Sequence, residues 1–144
     1  MLRRLVLLSL CAAAQLAGAA EFRSVAEPAV LYDAPSTAAK PLYVVSRQYP
    51  VEVIVNLEAW VKVRDHTGAL AWIEKRALAE RRTLLVTTPS AEVRVRPEDQ
   101  APLSFAAAQN VVLDLVAIAP GGWLRVRHAD GTDGFVRMNQ VWGN

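Results

Sequence analysis

The sequence predicts an all-β fold in which two tandem small β-barrels follow a cleaved signal peptide. Three observations support this prediction. A short apolar run lies near the N-terminus, a stretch of strand-like sequence recurs about 63 residues later, and apolar residues within each copy alternate with a period near two. We place the signal peptide at residues 1–20, the first barrel at 25–82 and the second barrel at 83–144.

The first 20 residues have the parts of a secretory signal peptide. Two arginines precede an apolar run of ten residues, Leu5–Ala14, which is too short to span a bilayer. Small residues at Ala17–Ala20 then offer a cleavage site. We therefore expect a periplasmic or extracellular (secreted) protein with no stable membrane anchor after cleavage. The single cysteine, Cys11, lies in the removable segment, so we expect no disulfide or cysteine-based metal site.

Removal of the signal peptide also balances the charge. The full chain has 16 basic and 14 acidic residues, and without Arg3 and Arg4 the numbers are 14 and 14. Binding to nucleic acid or to an anionic membrane needs a clustered excess of basic residues. We therefore expect no nucleic-acid partner.

An internal repeat divides the remaining chain into two copies. Trp60–Arg64 (WVKVR) recurs as Trp123–Arg127 (WLRVR). Further matches are Gly68 with Gly131, Trp72 with Phe135, Ile73 with Val136, and Val51–Val53 with Leu113–Leu115. Matched tryptophans and glycines with a shared apolar alternation indicate duplication of a domain.

Within the first copy, β-branched residues and alternation predict short strands. Val51, Val53 and Val55, for example, alternate with other residues and share one predicted face. The predicted strands are 28–33, 42–46, 51–57, 60–64 and 70–74, followed by a short turn at 75–78. Turns rich in Gly, Pro, Asp and Ser separate the strands of both copies: Ala34–Ser36 and Asp65–Gly68 in the first, and Pro120–Gly122 and Ala129–Thr132 in the second. The second copy repeats this order from about residue 91.

So few short strands bury enough apolar surface only if each sheet curls into a small barrel. The predicted link between the copies, Ala79–Thr83, is short. Leu84–Val86 can add a strand that packs the two barrels together. We therefore expect a rigid pair of barrels.

The segment 50–86, PVEVIVNLEAWVKVRDHTGALAWIEKRALAERRTLLV, resembles the bacterial SH3 domain family of exported proteins. The ending Gln140–Gly143 is also typical of that family. The resemblance covers nearly the whole mature chain, and it implies tandem SH3-like barrels of a type usually linked to the cell envelope. It does not specify a ligand.

Trp60 begins a strand whose alternation places it on one face with Lys62 and Arg64, while the two valines between them face the core. Trp123 has the same position in the second copy. The family resemblance implies that a tryptophan here contributes to a ligand groove. In the alternative interpretation, both tryptophans cap the barrel cores and the cations only solvate the sheet edge.

The candidate ligand-binding residues are five aromatic residues of the first copy: Tyr32, Tyr43, Tyr49, Trp60 and Trp72. Rigid aromatic side chains suit the recognition of peptides or sugars. We align Val95 with Tyr32 and find no clear aromatic counterpart for three of the five, so the first copy is the predicted binder. The alternative is that these aromatic residues fill the barrel.

Catalytic residues are not expected. His66 and His128 lie in turns, do not align with each other and have no metal-ligand spacing, and glycine-rich phosphate loops are absent. We therefore predict a non-enzymatic protein without cofactor or metal. Its expected function is that of an exported binding module that recognises cell-wall peptide or glycan (peptidoglycan). The alternative is an adaptor that binds another envelope protein.

Overall fold

The computed structural model describes residues 18–144 and confirms the all-β fold class. The strands form two seven-stranded sheets, one in each half of the chain. The predicted signal peptide, residues 1–20, lies outside the described residues except for its last three positions, and Cys11 lies outside them as well. No helix in the described part of the chain has the length and apolar character that crossing a membrane requires.

Seven antiparallel strands build the first barrel. They are β1 (Glu21–Val25), β2 (Ala29–Tyr32), β3 (Pro41–Val45), β4 (Pro50–Asn56), β5 (Trp60–Arg64), β6 (Leu70–Glu74) and β7 (Leu78–Ala79). Their order in the sheet is β3-β2-β6-β5-β4-β1-β7. A 3-10 turn, Lys75–Ala77, precedes β7.

The second barrel repeats this order. Its strands are β8 (Thr83–Val86), β9 (Ser90–Arg94), β10 (Leu103–Ala108), β11 (Val112–Ala119), β12 (Trp123–Arg127), β13 (Asp133–Arg137) and β14 (Val141–Trp142). The spatial order is β10-β9-β13-β12-β11-β8-β14, and a 3-10 turn, Met138–Gln140, precedes β14. The strand order of the two halves is therefore the same, as a duplicated domain requires.

The five strands predicted for the first copy correspond to β2 through β6, with ends that agree to within one residue. β1 was not predicted from the sequence, and it begins four residues before the expected start of the first barrel. Ser24 occupies a buried position on this strand and is 1% exposed, so the apolar alternation is interrupted there. The predicted extra strand at Leu84–Val86 is β8, and it pairs with β11 and β14 just as β1 pairs with β4 and β7.

Each barrel has its own hydrophobic core, formed by the inward-facing residues of its strands. In β5, Val61 and Val63 are 2% and 1% exposed, so the predicted inward phase is confirmed. The first core consists of Val25, Leu31, Val45, Val51, Val61, Val63, Ala71 and Ile73. The second consists of Leu84, Val86, Ala91, Val93, Ala107, Leu113, Leu124, Val126, Val136 and Val141.

The alternation predicted along β4 does not continue to its end. The register with β5 shifts between Val53 and Val55, which marks a β-bulge. Val51 is fully buried, whereas Ile54 and Val55 are each 38% exposed. The bulge turns the end of the strand away from the core, so Val55 does not share the buried face of Val51. A register shift at the same place in β11 gives the second barrel the same bend.

The two barrels meet where the first residue of β8 and the C-terminal strand, β14, contact the first barrel. The Thr83 hydroxyl donates a hydrogen bond of 2.6 Å to the backbone carbonyl of Gln48. The ring of Trp142 packs edge-on against Phe22 of β1, with centroids 5.2 Å apart, and lies 6.5 Å from the imidazole of His66. These contacts dock the second barrel against the first, as the short linker predicts.

Candidate functional site

Three of the five predicted aromatic residues lie together on the outer face of the first sheet. Tyr32 of β2 is directly opposite Trp72 of β6, and its ring meets the ring of Trp60 edge-on, with centroids 5.6 Å apart. All three side chains are half-buried. We call Tyr32, Trp60 and Trp72 the aromatic face.

The pleat of β5 and β6 positions this face. Val61 and Ile73 point inward and are buried, so Trp60 and Trp72 must point outward. Lys62 is opposite Trp72 in the strand register, and its ammonium nitrogen lies 6.0 Å from the centre of the indole ring. A cation thus borders the aromatic face on one side.

An open groove of 370 Å³ runs beside Tyr32. It is lined by Glu27, Pro28, Ala29, Val30, Tyr32, Glu74, Arg76 and Ala77. The Arg76 guanidinium pairs with the Glu74 carboxylate at 2.6 Å, which raises the pKa of the guanidinium. The groove therefore combines an aromatic wall with polar groups of both signs, which suits a ligand with an apolar face and hydrogen-bonding groups.

Tyr43 and Tyr49 do not lie at the aromatic face. They belong to a separate cluster with Asp65 and His66, beside a second open groove of 370 Å³. The Tyr43 hydroxyl donates to Asp65 Oδ2 at 2.9 Å, and the Tyr49 hydroxyl is 2.5 Å from Nδ1 of His66. The structure thus divides the five candidate residues into two groups.

Asp65 is the centre of this second cluster, and it is only 8% exposed. Its Oδ1 accepts hydrogen bonds from the backbone N–H groups of Thr67 and Ala69 and from the Thr67 hydroxyl. Burial alone raises the carboxyl pKa, but these bonds and the Tyr43 bond outweigh it and hold the pKa below its ordinary value. Burial and the Asp65 carboxylate in turn raise the pKa of Tyr43.

The turn at Asp65–Gly68 was expected from the sequence, but the role of Asp65 in it was not. An aspartate at the first position of a turn commonly accepts hydrogen bonds from backbone N–H groups two to four residues later, and that signal was present. The bonds of Asp65 lie within its own turn and to one neighbouring strand. Its observed contacts hold the turn and fix the ring of Tyr43.

The strand registers give the counterparts of the candidate residues in the second barrel. Trp72 and Phe135 are equivalent residues of the two copies. Tyr32 is opposite Trp72 and Arg94 is opposite Phe135, so Arg94 occupies the place of Tyr32. The alignment of Val95 with Tyr32 was wrong by one residue. The spacing between the copies is 62 residues before the inserted turn residue and 63 after it, and the alignment had used the longer spacing for β2.

The same comparison changes the number of unmatched aromatic residues. Leu31 and Val93 are equivalent, because they directly precede Tyr32 and Arg94. Tyr43 is opposite Leu31 and Phe105 is opposite Val93, so Phe105 is the aromatic counterpart of Tyr43. The backbone carbonyl of Tyr49 accepts a hydrogen bond from the N–H of Val25, and the carbonyl of Val111 accepts the equivalent bond from the N–H of Val86. Val111 is therefore the counterpart of Tyr49. Two of the five, Tyr32 and Tyr49, therefore lack an aromatic counterpart, rather than the three expected.

Trp60 and Trp123 begin equivalent strands but differ in exposure. Trp123 is 4% exposed, and the guanidinium of Arg137 stacks over its ring at 4.3 Å from the ring centre. Trp60 is half-buried, and among residues 18–144 no cation stacks over its ring. Trp123 is therefore covered, whereas Trp60 presents part of its ring to solvent.

The two histidines lie in different barrels. His66 contacts Tyr49 and Trp142, while Nδ1 of His128 is 3.2 Å from a carboxylate oxygen of Asp130. Within residues 18–144 there is no group of three or more His, Cys, Asp or Glu side chains placed to hold a metal ion.

Comparisons with known proteins agree with the fold. Residues 25–80 and residues 88–143 each match the family model described as the bacterial SH3 domain. None of the curated proteins matches the chain.

Several solved structures are similar. NlpC2 from Trichomonas vaginalis is 15% identical, with a TM-score of 0.41 over 87% of this chain and 48% of that chain. NlpC1 from the same organism is 16% identical, with a TM-score of 0.41 over 96% of this chain and 51% of that one. An NlpC/P60 family protein from Bacillus cereus is 17% identical, with a TM-score of 0.40 over 85% of this chain and 56% of that one. The present chain thus spans about half the length of these proteins.

Proposed function

This chain belongs to the bacterial SH3 domain family, and from that membership we propose that it is a non-catalytic binding module of the cell envelope. In this proposal the protein is exported and recognises cell-wall peptide or glycan. The binding surface is the aromatic face of the first barrel together with the groove beside Tyr32.

One observation carries the proposal: Tyr32, Trp60 and Trp72 are clustered on the outside of the sheet although each is large enough to fill a small core. The core is already complete without them, since Leu31, Val61 and Ile73 occupy the inward positions of the same strands. Exposed aromatic rings that are held by neighbouring rings offer a large contact area at little cost in side-chain entropy.

The polar groups around the aromatic face favour a ligand of mixed character. Lys62 lies at one side, and Glu74 is directly opposite Trp60 in the strand register. A sugar ring or a short peptide can stack an apolar surface on an aromatic ring and direct hydrogen bonds to such neighbours.

The placement of the titratable residues supports the non-catalytic part of the proposal. His66 and His128 lie in turns of different barrels, and the Asp65 carboxylate accepts hydrogen bonds from its own turn and from the Tyr43 hydroxyl. General acid-base chemistry needs such groups to converge on one reacting atom.

Cosedimentation with isolated cell-wall sacculi tests the proposal. We expect the folded mature protein to sediment with sacculi, and Trp60→Ala to lower the apparent affinity roughly five- to tenfold, because stacking on one aromatic ring contributes about 1 kcal/mol. Ile118→Ala is the matched control, since Ile118 is 71% exposed but lies on β11 of the other barrel. It should bind like the wild type.

Failure of the wild-type protein to sediment with sacculi would exclude the cell wall as its ligand. Crosslinking in cells, followed by mass spectrometry, would then test the adaptor alternative, in which the partner is another envelope protein. Equal losses of binding in Trp60→Ala and Ile118→Ala would contradict the assignment to the aromatic face.

A further inference from the structure

The second barrel has a groove at the place that corresponds to the aromatic face of the first, but its chemistry is different. This groove has a volume of 320 Å³ and is lined by Glu92, Arg94, Asp99, Trp123, Arg137, Asn139 and Gln140. Arg94 occupies the place of Tyr32. Arg137 is opposite Trp123, just as Glu74 is opposite Trp60, so Arg137 occupies the place of Glu74. Two arginines therefore replace a tyrosine and a glutamate.

Arg137 is held in a fixed orientation. Its guanidinium stacks on the ring of Trp123 at 4.3 Å from the ring centre, and its Nη1 donates a hydrogen bond of 3.2 Å to the carbonyl of Gly121. The remaining edge of the guanidinium, with Nε and Nη2, faces the groove. Such a planar pair of N–H donors matches the two oxygens of a carboxylate.

A carboxylate of the chain itself already occupies this edge. Nε of Arg137 donates to Asp99 Oδ1 at 3.1 Å, and Nη2 donates to Asp99 Oδ2 at 2.6 Å. Asp99 lies on the loop between β9 and β10, and its side chain is 66% exposed. Within residues 18–144, all hydrogen bonds to the Asp99 carboxylate come from Arg137.

Arg94 provides a second cation in the same groove. Its Nη1 donates to the carbonyl of Ala101 at 3.3 Å, and its Nη2 pairs with Glu92, whose side chain is 58% exposed. Both arginines are thus held by the barrel through one backbone carbonyl each, and both meet an exposed acidic side chain on the solvent side.

We propose that the groove between Arg94, Trp123 and Arg137 is a binding site for a carboxylate-bearing ligand, and that Asp99 occupies the site in the free protein. The ligand carboxylate takes the two donors of Arg137 by displacing Asp99, which then turns into solvent. An exposed ion pair contributes little to stability, so this exchange costs little. This site lies in the second barrel and does not depend on ligand binding at the aromatic face.

NMR titration of the ¹⁵N-labelled protein with N-acetylalanine tests the proposal. We expect shifts of the Arg137 Nε–H and Trp123 indole N–H signals that saturate. The neutral N-methylamide of N-acetylalanine should cause no such shifts, because it lacks the carboxylate. Inorganic phosphate serves as the second comparison, because an arginine fork can also hold two phosphate oxygens. We expect it to bind more weakly, since Glu92 and Asp99 line the groove and repel its greater negative charge.

Asp99→Ala and Glu98→Ala provide a matched pair of variants. Each removes one acidic side chain from the same loop, but Glu98 pairs with Arg96 and not with Arg137. We expect Asp99→Ala to bind N-acetylalanine about two- to fivefold more tightly than the wild type, because the internal competitor is gone. Glu98→Ala should leave the affinity unchanged. Arg137→Lys, which keeps the charge but loses the fork, should abolish the saturable shift of the Trp123 indole N–H signal.

Three results would overturn the proposal. In the first, neither the wild type nor Asp99→Ala responds to N-acetylalanine. In the second, Asp99→Ala and Glu98→Ala change the affinity equally, so that the ligand does not take the place of Asp99. In the third, phosphate binds as tightly as the carboxylate, which would indicate a general anion patch. None of these results bears on sacculus binding by Trp60, so the two proposals fail independently.

Discussion

Asp65 and His128 occupy equivalent turns in the two barrels, and they show how one residue changes a local network. In the first barrel the buried carboxylate accepts bonds from Thr67, from Ala69 and from the hydroxyl of Tyr43. In the second barrel His128 faces the ring of Phe105, with centroids 5.7 Å apart, and no tyrosine hydroxyl takes part. The duplicated turn therefore begins with a carboxylate bonded to a tyrosine hydroxyl in one copy and with a histidine that faces a phenylalanine in the other.

The lowered pKa of Asp65 predicts how stability depends on pH. The folded state favours the ionised carboxylate. Its contribution to folding stability is therefore complete above the ordinary carboxyl pKa of 3.8, and it is lost as the pH falls through the lower pKa of the folded state. We expect the wild-type melting temperature to fall more steeply with acidification below about pH 4 than that of Asp65→Asn. At pH 7, Asp65→Asn should be less stable by about 1–3 kcal/mol. Thermal melts followed by circular dichroism from pH 7 to pH 2 measure both effects.

Tyr43→Phe is the companion variant, because it keeps the carboxylate and removes one donor. Its acid dependence should lie between those of the wild type and Asp65→Asn. Identical pH profiles for all three proteins would contradict the role given to this network.

At the scale of elements, the junction between β8 and β14 depends on a glycine. Gly143 follows β14 directly and has a φ of +124°, a conformation that other residues rarely adopt. A Cβ atom there would lie 2.6 Å from the carbonyl oxygen of Thr83 and 3.2 Å from Cβ of Pro50. The backbone at Gly143 thus approaches Thr83 of its own barrel more closely than a side chain would permit, and a Cβ atom there would also be tight against Pro50 of the first barrel.

Gly143→Ala should therefore destabilise the protein by more than the backbone strain alone. Gly131→Ala is the matched control, because Gly131 also has a positive φ, of +90°, but a Cβ there would meet nothing within 4 Å. We expect about 1 kcal/mol for Gly131→Ala and about 3 kcal/mol for Gly143→Ala. Urea denaturation measures both values, and equal losses would show that the close approach at Gly143 is unimportant.

The sequence predicted some elements better than others for identifiable reasons. β5 was predicted to the residue because Val61 and Val63 alternate cleanly with polar or amphipathic neighbours. β1 was missed because buried Ser24 interrupts its apolar pattern, and the outward turn of Val55 was missed because a bulge follows from pairing with β5. In the candidate site, the outward direction of the Trp60 side chain was predictable from the alternation along β5. The location of Tyr43 and Tyr49 in a separate cluster, away from Trp60, was not.

At the scale of the whole molecule, the two barrels are docked through Trp142. Its ring meets Phe22 of the first barrel edge-on and lies next to His66. Arg82, which lies in the linker, donates to the carbonyl of Gly143 at 2.9 Å and lies over the ring of Phe22 at 5.4 Å from its centre. This junction joins two complete cores into one body.

Trp142→Ala should uncouple the barrels, because it removes the aromatic contacts that cross the junction. We expect the wild type to unfold in urea in a single transition and Trp142→Ala to unfold in two, one for each barrel. Trp72→Ala is the matched control, since Trp72 lies on the outer face of the first barrel and packs near Lys62. A single transition in Trp142→Ala would contradict the importance of this contact.

The sequence by itself determined the class of fold, the duplication and the outward direction of Trp60, because these depend on alternation and repetition that are visible along the chain. Tertiary structure decided which aromatic residues share a surface, since Tyr32 and Trp72 meet only through strand pairing. It also made the two copies chemically different: Arg137 covers Trp123, and Asp99 reaches Arg137 from a loop 38 residues away. Contacts of that kind depend on the order of the strands in the sheet, which no local pattern records.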